Sequence, residues 1–288
     1  MNRASKLVSA FAAGIVVSTI LWPDGRASGE TVRVNGIEMY YEITGEGEPL
    51  ILLHGWSQSG ATWNRVADDF AKHFQVIVPD LRGHGATNNP SGEYYTMKQL
   101  AFDVYALLDH LEIGTANAMG ISMGGGTLLH MATQQPDRID SMVLIGAASY
   151  VPADGREIAR SIDLNDIPEN QMRQYREIHK LGDQQIIAML EQSKTGADDY
   201  ESTAFTPPYL STIKADTLIV HGERDRRVPI NIALEMYEAI PNSFLWIVPN
   251  GGHVPIREFY EENFIVVAEA FLSGQMIPGR SKNINWSI

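Results

Sequence analysis

Short runs of apolar residues, bounded by turn-forming residues, recur along the chain. The run Leu-Ile-Leu-Leu at residues 50–53 is the clearest of them. Such a run is typical of a strand that is buried on both faces, as in a parallel sheet. From these runs, from β propensity and from chain position, the sequence predicts strands at residues 31–34, 37–43, 50–53, 75–78, 115–119, 141–147, 217–220 and 244–248.

Between these strands, apolar residues recur three or four positions apart, which is the spacing of one helix face. Helices are predicted over residues 62–74, 96–111, 123–135, 229–240 and 255–272. Thr96 and Gln99 form a capping-box pair at the start of the second helix. Asn35-Gly36, between the first two strands, is a strong hairpin signal. Strands that alternate with helices in this way predict an α/β protein with a mostly parallel, doubly wound sheet.

The alternation stops at residue 149 and resumes at residue 212. The residues between show three short amphipathic segments and no convincing strand. An insertion at the carboxyl edge of a parallel sheet lies over the crevice where such sheets bind ligands. We therefore expect a core of residues 30–148 and 212–273, an inserted helical cap of residues 149–211, and a C-terminal tail over 274–288. Met172 and Tyr175 of the cap are expected to form an apolar wall of the substrate-binding pocket.

Residues 1–29 do not share the pattern of the predicted core. Arg3 and Lys6 precede an uncharged apolar run over residues 7–21, and Ala27-Ser28-Gly29 is a small-residue site of the kind that a signal peptidase accepts. The pattern predicts a signal peptide or an N-terminal anchor. The protein is expected to be exported, to the periplasm or outside the cell, if this segment is cleaved, and to be membrane-anchored otherwise.

Charge and cysteine content narrow the classes of partner. The 288 residues include 35 acidic and 22 basic side chains, for a formal net charge of −13. This balance argues against nucleic acid as a partner, because little positive charge is present to neutralise phosphates. The chain has no cysteine, which excludes disulfides and thiolate chemistry. We expect no metal and no cofactor, because no metal-binding, phosphate-binding or dinucleotide-binding motif is in place.

The motif G-x-S-x-G at residues 120–124 supplies a candidate nucleophile, Ser122. It stands between a predicted strand and a predicted helix. A sharp turn at that point presents the serine oxygen to substrate in a strained backbone conformation, and the helix N-terminus favours a developing negative charge. Glycines at both ends of the motif allow neighbouring backbone to approach closely.

A serine nucleophile needs a base, and the base needs an orienting acid. His253 and Asp225 each follow a predicted strand, so both are expected at the sheet edge that carries Ser122. The chain order serine, acid, histidine is the one that this architecture uses. Glu223 and Asp216 compete with Asp225 for the acid, and a surface acid paired with a neighbouring arginine is the alternative for Asp225.

Two backbone N–H groups are expected to form an oxyanion hole. One belongs to Met123, the residue after the nucleophile. The other belongs to Trp56, in the turn after the strand at residues 50–53. The other histidines are expected to be packed or solvent-facing, and Asp80 with Arg82 is expected to brace a strand-end loop.

Several motifs occur in a recognisable order. They are His-Gly-Trp at residues 54–56, Asp-Leu-Arg-Gly-His-Gly at 80–85, Gly-Ile-Ser-Met-Gly-Gly at 120–125, Asp225 before Val228-Pro229, and Gly252-His253. With these motifs, over about residues 32–272, the sequence resembles the α/β-hydrolase superfamily, in particular its small capped esterases, lactonases and non-haem haloperoxidases. The resemblance implies the α/β-hydrolase fold and the triad above. Haloalkane dehalogenases and epoxide hydrolases are also similar, but they carry aspartate as the nucleophile, and Ser122 argues against both.

The function expected from these residues is hydrolysis of a small, apolar carboxylic ester or lactone through an acyl-enzyme. Ser122 would attack the carbonyl, His253 would transfer the proton, and Asp225 would orient the imidazole. The same triad suits cleavage of a carbon–carbon bond in a diketone, or perhydrolase and haloperoxidase chemistry. A ligand-sensing protein that keeps the triad without turnover is a third alternative. No feature of the sequence defines an oligomeric state.

Overall fold

A computed structural model describes residues 29–257 and 260–276, and within them one sheet of eight strands forms the centre of the fold. The strands are β1 (Glu30–Val34), β2 (Ile37–Thr44), β3 (Glu48–Leu53), β4 (Phe74–Pro79), β5 (Ala116–Ile121), β6 (Ile139–Ile145), β7 (Asp216–Gly222) and β8 (Ser243–Val248). Their order in the sheet is β1-β2-β4-β3-β5-β6-β7-β8. The pairs β1–β2 and β2–β4 are antiparallel and every other pair is parallel. The prediction of a mostly parallel α/β sheet is confirmed.

Helices cover both faces of this sheet. They are α1 (Ala67–Phe70), α2 (Met97–His110), α3 (Met123–Gln134), α4 (Ala153–Arg160), α5 (Glu169–Ile178), α6 (Asp183–Gly196), α7 (Pro207–Leu210), α8 (Ile230–Ala239) and α9 (Glu261–Leu272). One apolar cluster joins the sheet to α2, α3 and α8, and a second joins the opposite face to α1 and α9. The sheet is therefore doubly wound, and all of its central strands are buried.

The local signals at the first hairpin and at α2 act as predicted. Asn35 and Gly36 have φ angles of 44° and 79°, which a two-residue turn of type I′ requires. The Thr96 side chain accepts a hydrogen bond from the backbone N–H of Gln99 at 3.1 Å, which caps α2. The turn and the helix cap each depend only on residues that are neighbours in the sequence, so both can be predicted without knowledge of the fold.

In β5, position in the sheet outweighs strand propensity. Ala116, Asn117 and Ala118 are weak strand formers, yet every residue of β5 is buried between β3 and β6. Helix α3 packs directly on this strand. The small side chains leave room for that close packing, which brings the start of α3 to the carboxyl edge of the sheet.

Two predicted helices differ from the structure. The segment predicted over residues 62–74 is divided into a 3-10 helix (Gly60–Trp63) and the single turn of α1, because Val66, with a φ of −123°, leaves the helical conformation between them. Trp63, Val66 and Phe70 are nevertheless all buried in one apolar cluster, so their spacing reports burial and not a continuous helix. The last helix, predicted from residue 255, begins at Glu261 after a series of turns.

Helices α4 to α7 lie between β6 and β7, within the segment predicted as a helical cap. The backbone N–H of Phe205 donates to the carbonyl of Ser149 at 2.9 Å, which ties the two ends of this insertion together. Helices α5 and α6 enclose a small apolar cluster of their own. The predicted signal segment, except for Gly29, lies outside the described residues, as does most of the predicted tail. Of the helices described, none combines the length and apolar character needed to cross a membrane.

Candidate active site

Ser122 occupies the sharp turn between β5 and α3. Its φ of +50° and ψ of −109° are strained for a residue with a side chain, as expected of a nucleophile at such a turn. The backbone N–H of Ser122 donates to the carbonyl of Ile145 at 2.8 Å, and its carbonyl accepts from Gly126 at 3.0 Å. These bonds fix the turn against β6 and against the first turn of α3.

The glycines of the motif are required by close backbone approach. A Cβ atom on Gly124 would lie 2.4 Å from the carbonyl oxygen of Leu53 and 2.8 Å from that of His54. A Cβ atom on Gly120 would lie 2.6 Å from the carbonyl carbon of Gly124. The N-terminus of α3 can therefore rest against the end of β3 only because these positions carry no side chain.

Ser122, His253 and Asp225 form a continuous hydrogen-bonded chain. Nε2 of His253 lies 2.9 Å from Oγ of Ser122, and Nδ1 of His253 lies 2.8 Å from Oδ2 of Asp225. The Asp225 side chain is fully buried, whereas that of His253 is 18% exposed and lies at the surface of a cavity. In this arrangement Ser122 donates to Nε2 of the imidazole, and Nδ1 donates to the carboxylate. The proton of the neutral imidazole is thus on Nδ1, which leaves Nε2 free to act as the general base.

The loop after β7 holds Asp225 as a carboxylate. Its Oδ1 accepts from the backbone N–H groups of Arg227 and Val228 at 2.8 and 3.0 Å. Burial by itself raises the pKa of Asp225, but the hydrogen bond from His253 and those from the two N–H groups outweigh it, so the pKa lies below its usual value. His221, which had no predicted role, lies 2.9 Å through Nε2 from the carbonyl of Val228 and braces this loop.

The competing acids are placed elsewhere. Glu223 is exposed, and its carboxylate accepts from the backbone N–H of Asn250 at 2.8 Å, so it supports the loop that leads to His253. Asp216 is the first residue of β7 and lies at the opposite end of that strand from Asp225. Of the acids weighed from the sequence, the structure brings Asp225 alone to the histidine.

Trp56 and Met123 both line the cavity at Ser122. Met123 is the first residue of α3, where backbone N–H groups have no acceptor within the helix. Trp56 lies in the turn after β3, and its backbone N–H donates to none of the described residues. Both N–H groups are thus free for a ligand, and their part in an oxyanion hole stays a prediction.

The cavity measures about 350 Å³, and its wall corrects one expectation. Met172 and Tyr175 are not part of it: they are buried between α5 and α6 with Ile186, in the small cluster of the insertion that packs against Trp56. Their helical spacing reflects that packing. Among the residues that do line the cavity is a group without any predicted role, namely Tyr94, Tyr95, Arg156, Ile158, Asp199 and Arg227.

No local motif identifies this second group. Arg156 lies in a short amphipathic helix, and an arginine on such a helix is expected on its solvent-facing side. Arg227 is one of the neighbouring arginines with which Asp225 could pair on the alternative interpretation. In the structure it is the backbone N–H of Arg227, and not its side chain, that donates to the Asp225 carboxylate. A buried face on α4 becomes visible only once the packing of α4 against α6 is known.

Three histidines without a predicted catalytic role form a buried cluster beside the site. The ring centroids of His54 and His84 are 5.3 Å apart, and those of His84 and His179 are 5.8 Å apart. His54 accepts from the backbone N–H of Leu81, and His179 from that of Gly85. Burial lowers the pKa of His54 and of His179 to about 4 and that of His84 well below its usual value, so all three are neutral near pH 7.

Asp80 and Arg82 brace the loop after β4, each through a different partner. Asp80 accepts from the backbone N–H groups of Gly60 and Ala86, both at 2.7 Å. Arg82 makes a two-pronged ion pair with Asp103 of α2, at 2.7 and 2.8 Å. Over residues 29–257 and 260–276, no group of three or more histidine, aspartate or glutamate side chains is arranged to hold a metal ion.

Comparison with known proteins agrees with this fold. A family model described as the alpha/beta hydrolase fold matches residues 48–177. A 2-hydroxy-6-oxo-6-(2'-aminophenyl)hexa-2,4-dienoic acid hydrolase from Metapseudomonas resinovorans is 27% identical over 262 residues, which cover 84% of this chain and 90% of the relative.

Solved structures extend the comparison. A meta-cleavage product hydrolase from Pseudomonas fluorescens has a TM-score of 0.70 at 25% identity, covering 84% of this chain and 97% of that one. An enol-lactonase from Burkholderia xenovorans has a TM-score of 0.68 at 24% identity, covering 84% and 99%, and shows likeness of fold. The chain has the α/β-hydrolase fold and is a hydrolase, and its sequence is similar to hydrolases of the α/β-hydrolase superfamily.

Proposed function

We propose that the protein is a serine hydrolase that cleaves a small carboxylic ester or lactone through an acyl-enzyme. The observation that carries this proposal is the chain of hydrogen bonds from Ser122 through His253 to Asp225, at 2.9 and 2.8 Å. A nucleophile, its base and the acid that orients the base are within hydrogen-bond distance without any rearrangement.

The reaction follows from this geometry. Ser122 Oγ attacks the carbonyl carbon while His253 Nε2 takes its proton, and the negative charge that develops on the carbonyl oxygen is met by the N–H groups of Trp56 and Met123. His253 then returns the proton to the leaving alkoxide, and the acyl group stays on Ser122. A water, deprotonated by His253, attacks the acyl carbonyl; the bond to Ser122 Oγ then breaks, His253 returns the proton to that oxygen, and the acid is released.

The cavity supports a substrate of modest size. Its volume of about 350 Å³ is near the lower end of small-molecule sites in proteins. Leu100, Val151, Ile158 and Ile162 contribute apolar side chains to its wall. Short acyl chains should therefore be preferred over long ones.

The test is a series of p-nitrophenyl esters from acetate to decanoate, assayed on the wild type and on Ser122→Ala. We expect turnover to be highest for short chains and to fall by at least about 10³-fold in the variant. Ser193→Ala is the matched control, because Ser193 lines the same cavity outside the hydrogen-bonded chain, and it should keep the wild-type rate within a few-fold. Ester hydrolysis that survives in Ser122→Ala would refute the proposal.

A second candidate is hydrolysis of a carbon–carbon bond by the same triad. It is favoured by two of the similar proteins, a dienoic acid hydrolase and a meta-cleavage product hydrolase, at 27% and 25% identity. The test is the loss of the visible absorbance of a 2-hydroxy-6-oxo-dienoate, run beside labelling of Ser122 by a fluorophosphonate. A labelled protein that consumes the dienoate and none of the esters would replace the first proposal with this one.

A further inference from the structure

Arg156 carries a positive charge into the interior without a carboxylate partner. The residue is 5% exposed. Its Nη1 donates to the backbone carbonyls of Ala197 and Asp199 at 2.8 and 3.0 Å, and its Nε donates to that of Val151 at 3.3 Å. The guanidinium stacks on the ring of Tyr200 at 3.9 Å. None of the described acidic side chains forms an ion pair with it, so its charge is met by carbonyl dipoles and an aromatic face alone.

The second amino group of Arg156 is left without a protein partner. Nη2 donates to none of the described residues. The atom is not fully enclosed by protein, so it keeps some accessible surface. Arg156 lines the cavity that contains Ser122 and His253. The two N–H groups on Nη2 are therefore available to a ligand inside that cavity.

Among its described residues the cavity wall carries two guanidinium groups, those of Arg156 and Arg227, against the one carboxylate of Asp199. Asp199 is the acid among the described lining residues, and its carboxylate is engaged: Oδ2 accepts from the Tyr94 hydroxyl at 2.9 Å, and Oδ1 accepts from the backbone N–H groups of Glu201 and Ser202. Arg227 adds a second guanidinium, with no ion pair to a described residue. Within a chain of net charge −13, this cavity is a positive site.

We propose that the cavity takes substrates that carry a carboxylate in addition to the scissile ester or lactone bond, and that Arg156 binds this carboxylate through Nη2. The proposal rests on the proposed hydrolase function and names the substrate class of the same site. A buried guanidinium without a counter-charge is costly, and a ligand carboxylate would supply a charge-assisted hydrogen bond there. Arg156 thus selects the substrate, while Ser122, His253 and Asp225 perform the reaction.

A purely structural role accounts for only part of this side chain. The carbonyls that accept from Nη1 lie at the C-terminus of α6, so Arg156 ties α4 to that helix end. This contact explains Nη1 and Nε. It gives no role to Nη2, the amino group that has no protein partner.

The experiment compares substrates that differ only in charge. One pair is the mono-p-nitrophenyl ester of adipic acid and its terminal amide, and the other is 6-acetoxyhexanoate and 6-acetoxyhexanamide, so that the carboxylate lies on the acyl or on the alcohol side. The six-carbon chains are long enough to avoid the attack of the carboxylate on its own ester that shorter diacids undergo. We expect kcat/KM to favour the carboxylate at least about tenfold in one pair. Equal values within both pairs would overturn the proposal.

Variants then assign the preference to one residue. Arg156→Gln should abolish it and Arg156→Lys should keep part of it. Arg160→Gln is the matched control, one turn further along α4, where the exposed Arg160 pairs with Asp198 outside the cavity wall, and it should keep the full preference. Retention of the preference in Arg156→Gln would overturn the proposal. If that variant does not fold, Arg227→Gln decides: a preference kept there supports Arg156, and a preference lost assigns it to Arg227 instead.

A binding measurement separates this proposal from the proposed function. Ser122→Ala is titrated with adipamate and with adipamide in a calorimeter, so that no turnover is needed. Selective binding of adipamate that is lost when Arg156→Gln is added supports the carboxylate site even if the wild type hydrolyses neither ester. Hydrolysis of both esters at equal rates, with equal binding of the two ligands, refutes the carboxylate site and leaves the hydrolase intact.

Discussion

The loops at the sheet edge and the inserted helices contribute to one cavity, but they are held in different ways. The turn at Ser122 and the loop at Asp225 are fixed by backbone hydrogen bonds and by glycines that permit close approach. Helices α4 to α6 depend more on side chains: Arg156 reaches the end of α6, and Gln185 donates to the carbonyls of Gly85 and Thr87, beside a backbone bond from Lys180 to Gly85. The reacting groups thus sit on rigid backbone, and the rest of the cavity depends on side-chain contacts.

This difference separates the chemistry from the choice of substrate. A backbone scaffold keeps the nucleophile and base in register through many changes of sequence elsewhere. Side-chain contacts in the inserted helices can change one at a time and alter what the cavity accepts. We expect substitutions at the sheet edge to affect rate and folding, and those in the inserted helices to affect substrate preference.

The largest effect is expected at the acid of the sheet edge. Asp225→Asn should lower kcat on the preferred short ester by about 10³- to 10⁴-fold, because an amide no longer fixes the imidazole tautomer or balances its charge. The measurement is steady-state hydrolysis at pH 7.5, roughly a unit above the ordinary histidine pKa. Glu223→Gln is the control, since its side-chain oxygen still accepts from Asn250, and it should stay within a few-fold of the wild type. Comparable losses in the two variants would contradict the assignment of the acid.

The next effect concerns the histidine cluster, where an inserted helix meets the sheet edge. The pKa of His179 is about 4 in the folded chain and about 6.5 when exposed. Between these values the unfolded chain binds a proton that the folded chain does not. The contribution of His179 to the free energy of unfolding is therefore fully present above pH 6.5 and is lost as the pH drops towards 4. For this one group the free energy of unfolding should fall by about 3 kcal/mol from pH 7 to pH 4.

His179→Asn tests this pH dependence. The asparagine oxygen can still accept from the N–H of Gly85, but it takes up no proton, so the fall in unfolding free energy between pH 7 and pH 4 should be smaller than in the wild type. Urea unfolding at several pH values measures the slope, whatever the offset at pH 7. His110→Asn, at the exposed end of α2, serves as control and should keep the wild-type slope. An unchanged slope in His179→Asn would show that the cluster does not titrate in this way.

The same contrast explains which residues could be predicted from the sequence. Ser122, Asp225 and His253 follow strands, and the carboxyl ends of parallel strands meet at one edge, so chain order and strand positions were sufficient to bring them together. The turn at Asn35-Gly36 and the cap at Thr96 were predictable because they are local. Fold class and the hydrogen-bonded chain at Ser122 therefore follow from patterns that do not depend on tertiary detail.

The wall of the cavity was not predictable in this way. Met172 and Tyr175 show the helical spacing of a buried face, but spacing does not tell which neighbour covers that face, and here it is α6. Arg156 is polar, and nothing in its local sequence indicates that α4 buries it against α6. His54, His84 and His179 come from three separate segments, so their cluster exists only in the folded chain.

A smaller effect is expected from adding one carbon atom at the sheet edge. In Gly124→Ala the new Cβ would lie 2.4 Å from the carbonyl oxygen of Leu53, so the backbone of α3 or β3 must move. We expect a loss of about 1–3 kcal/mol in unfolding free energy, measured by urea denaturation, together with slower ester hydrolysis. A variant as stable as the wild type would show that the turn at Ser122 is not the rigid part of the molecule.

The smallest effect is expected in the inserted helices, from an added carbon atom in α4. The atoms nearest to a Cβ on Gly155, in α4, would belong to Val151 and Pro152, and the nearest would be 3.4 Å away, which is ordinary contact. Gly155→Ala should therefore raise the unfolding free energy by about 0.5–1 kcal/mol, because alanine loses less backbone entropy in a helix. Urea denaturation of both variants in one experiment measures the change in unfolding free energy, which should be negative for Gly124→Ala and positive for Gly155→Ala. A loss of stability in Gly155→Ala would mean that α4 is packed as tightly as the turn at Ser122, and the division into a backbone-fixed edge and a side-chain-held insertion would then fail.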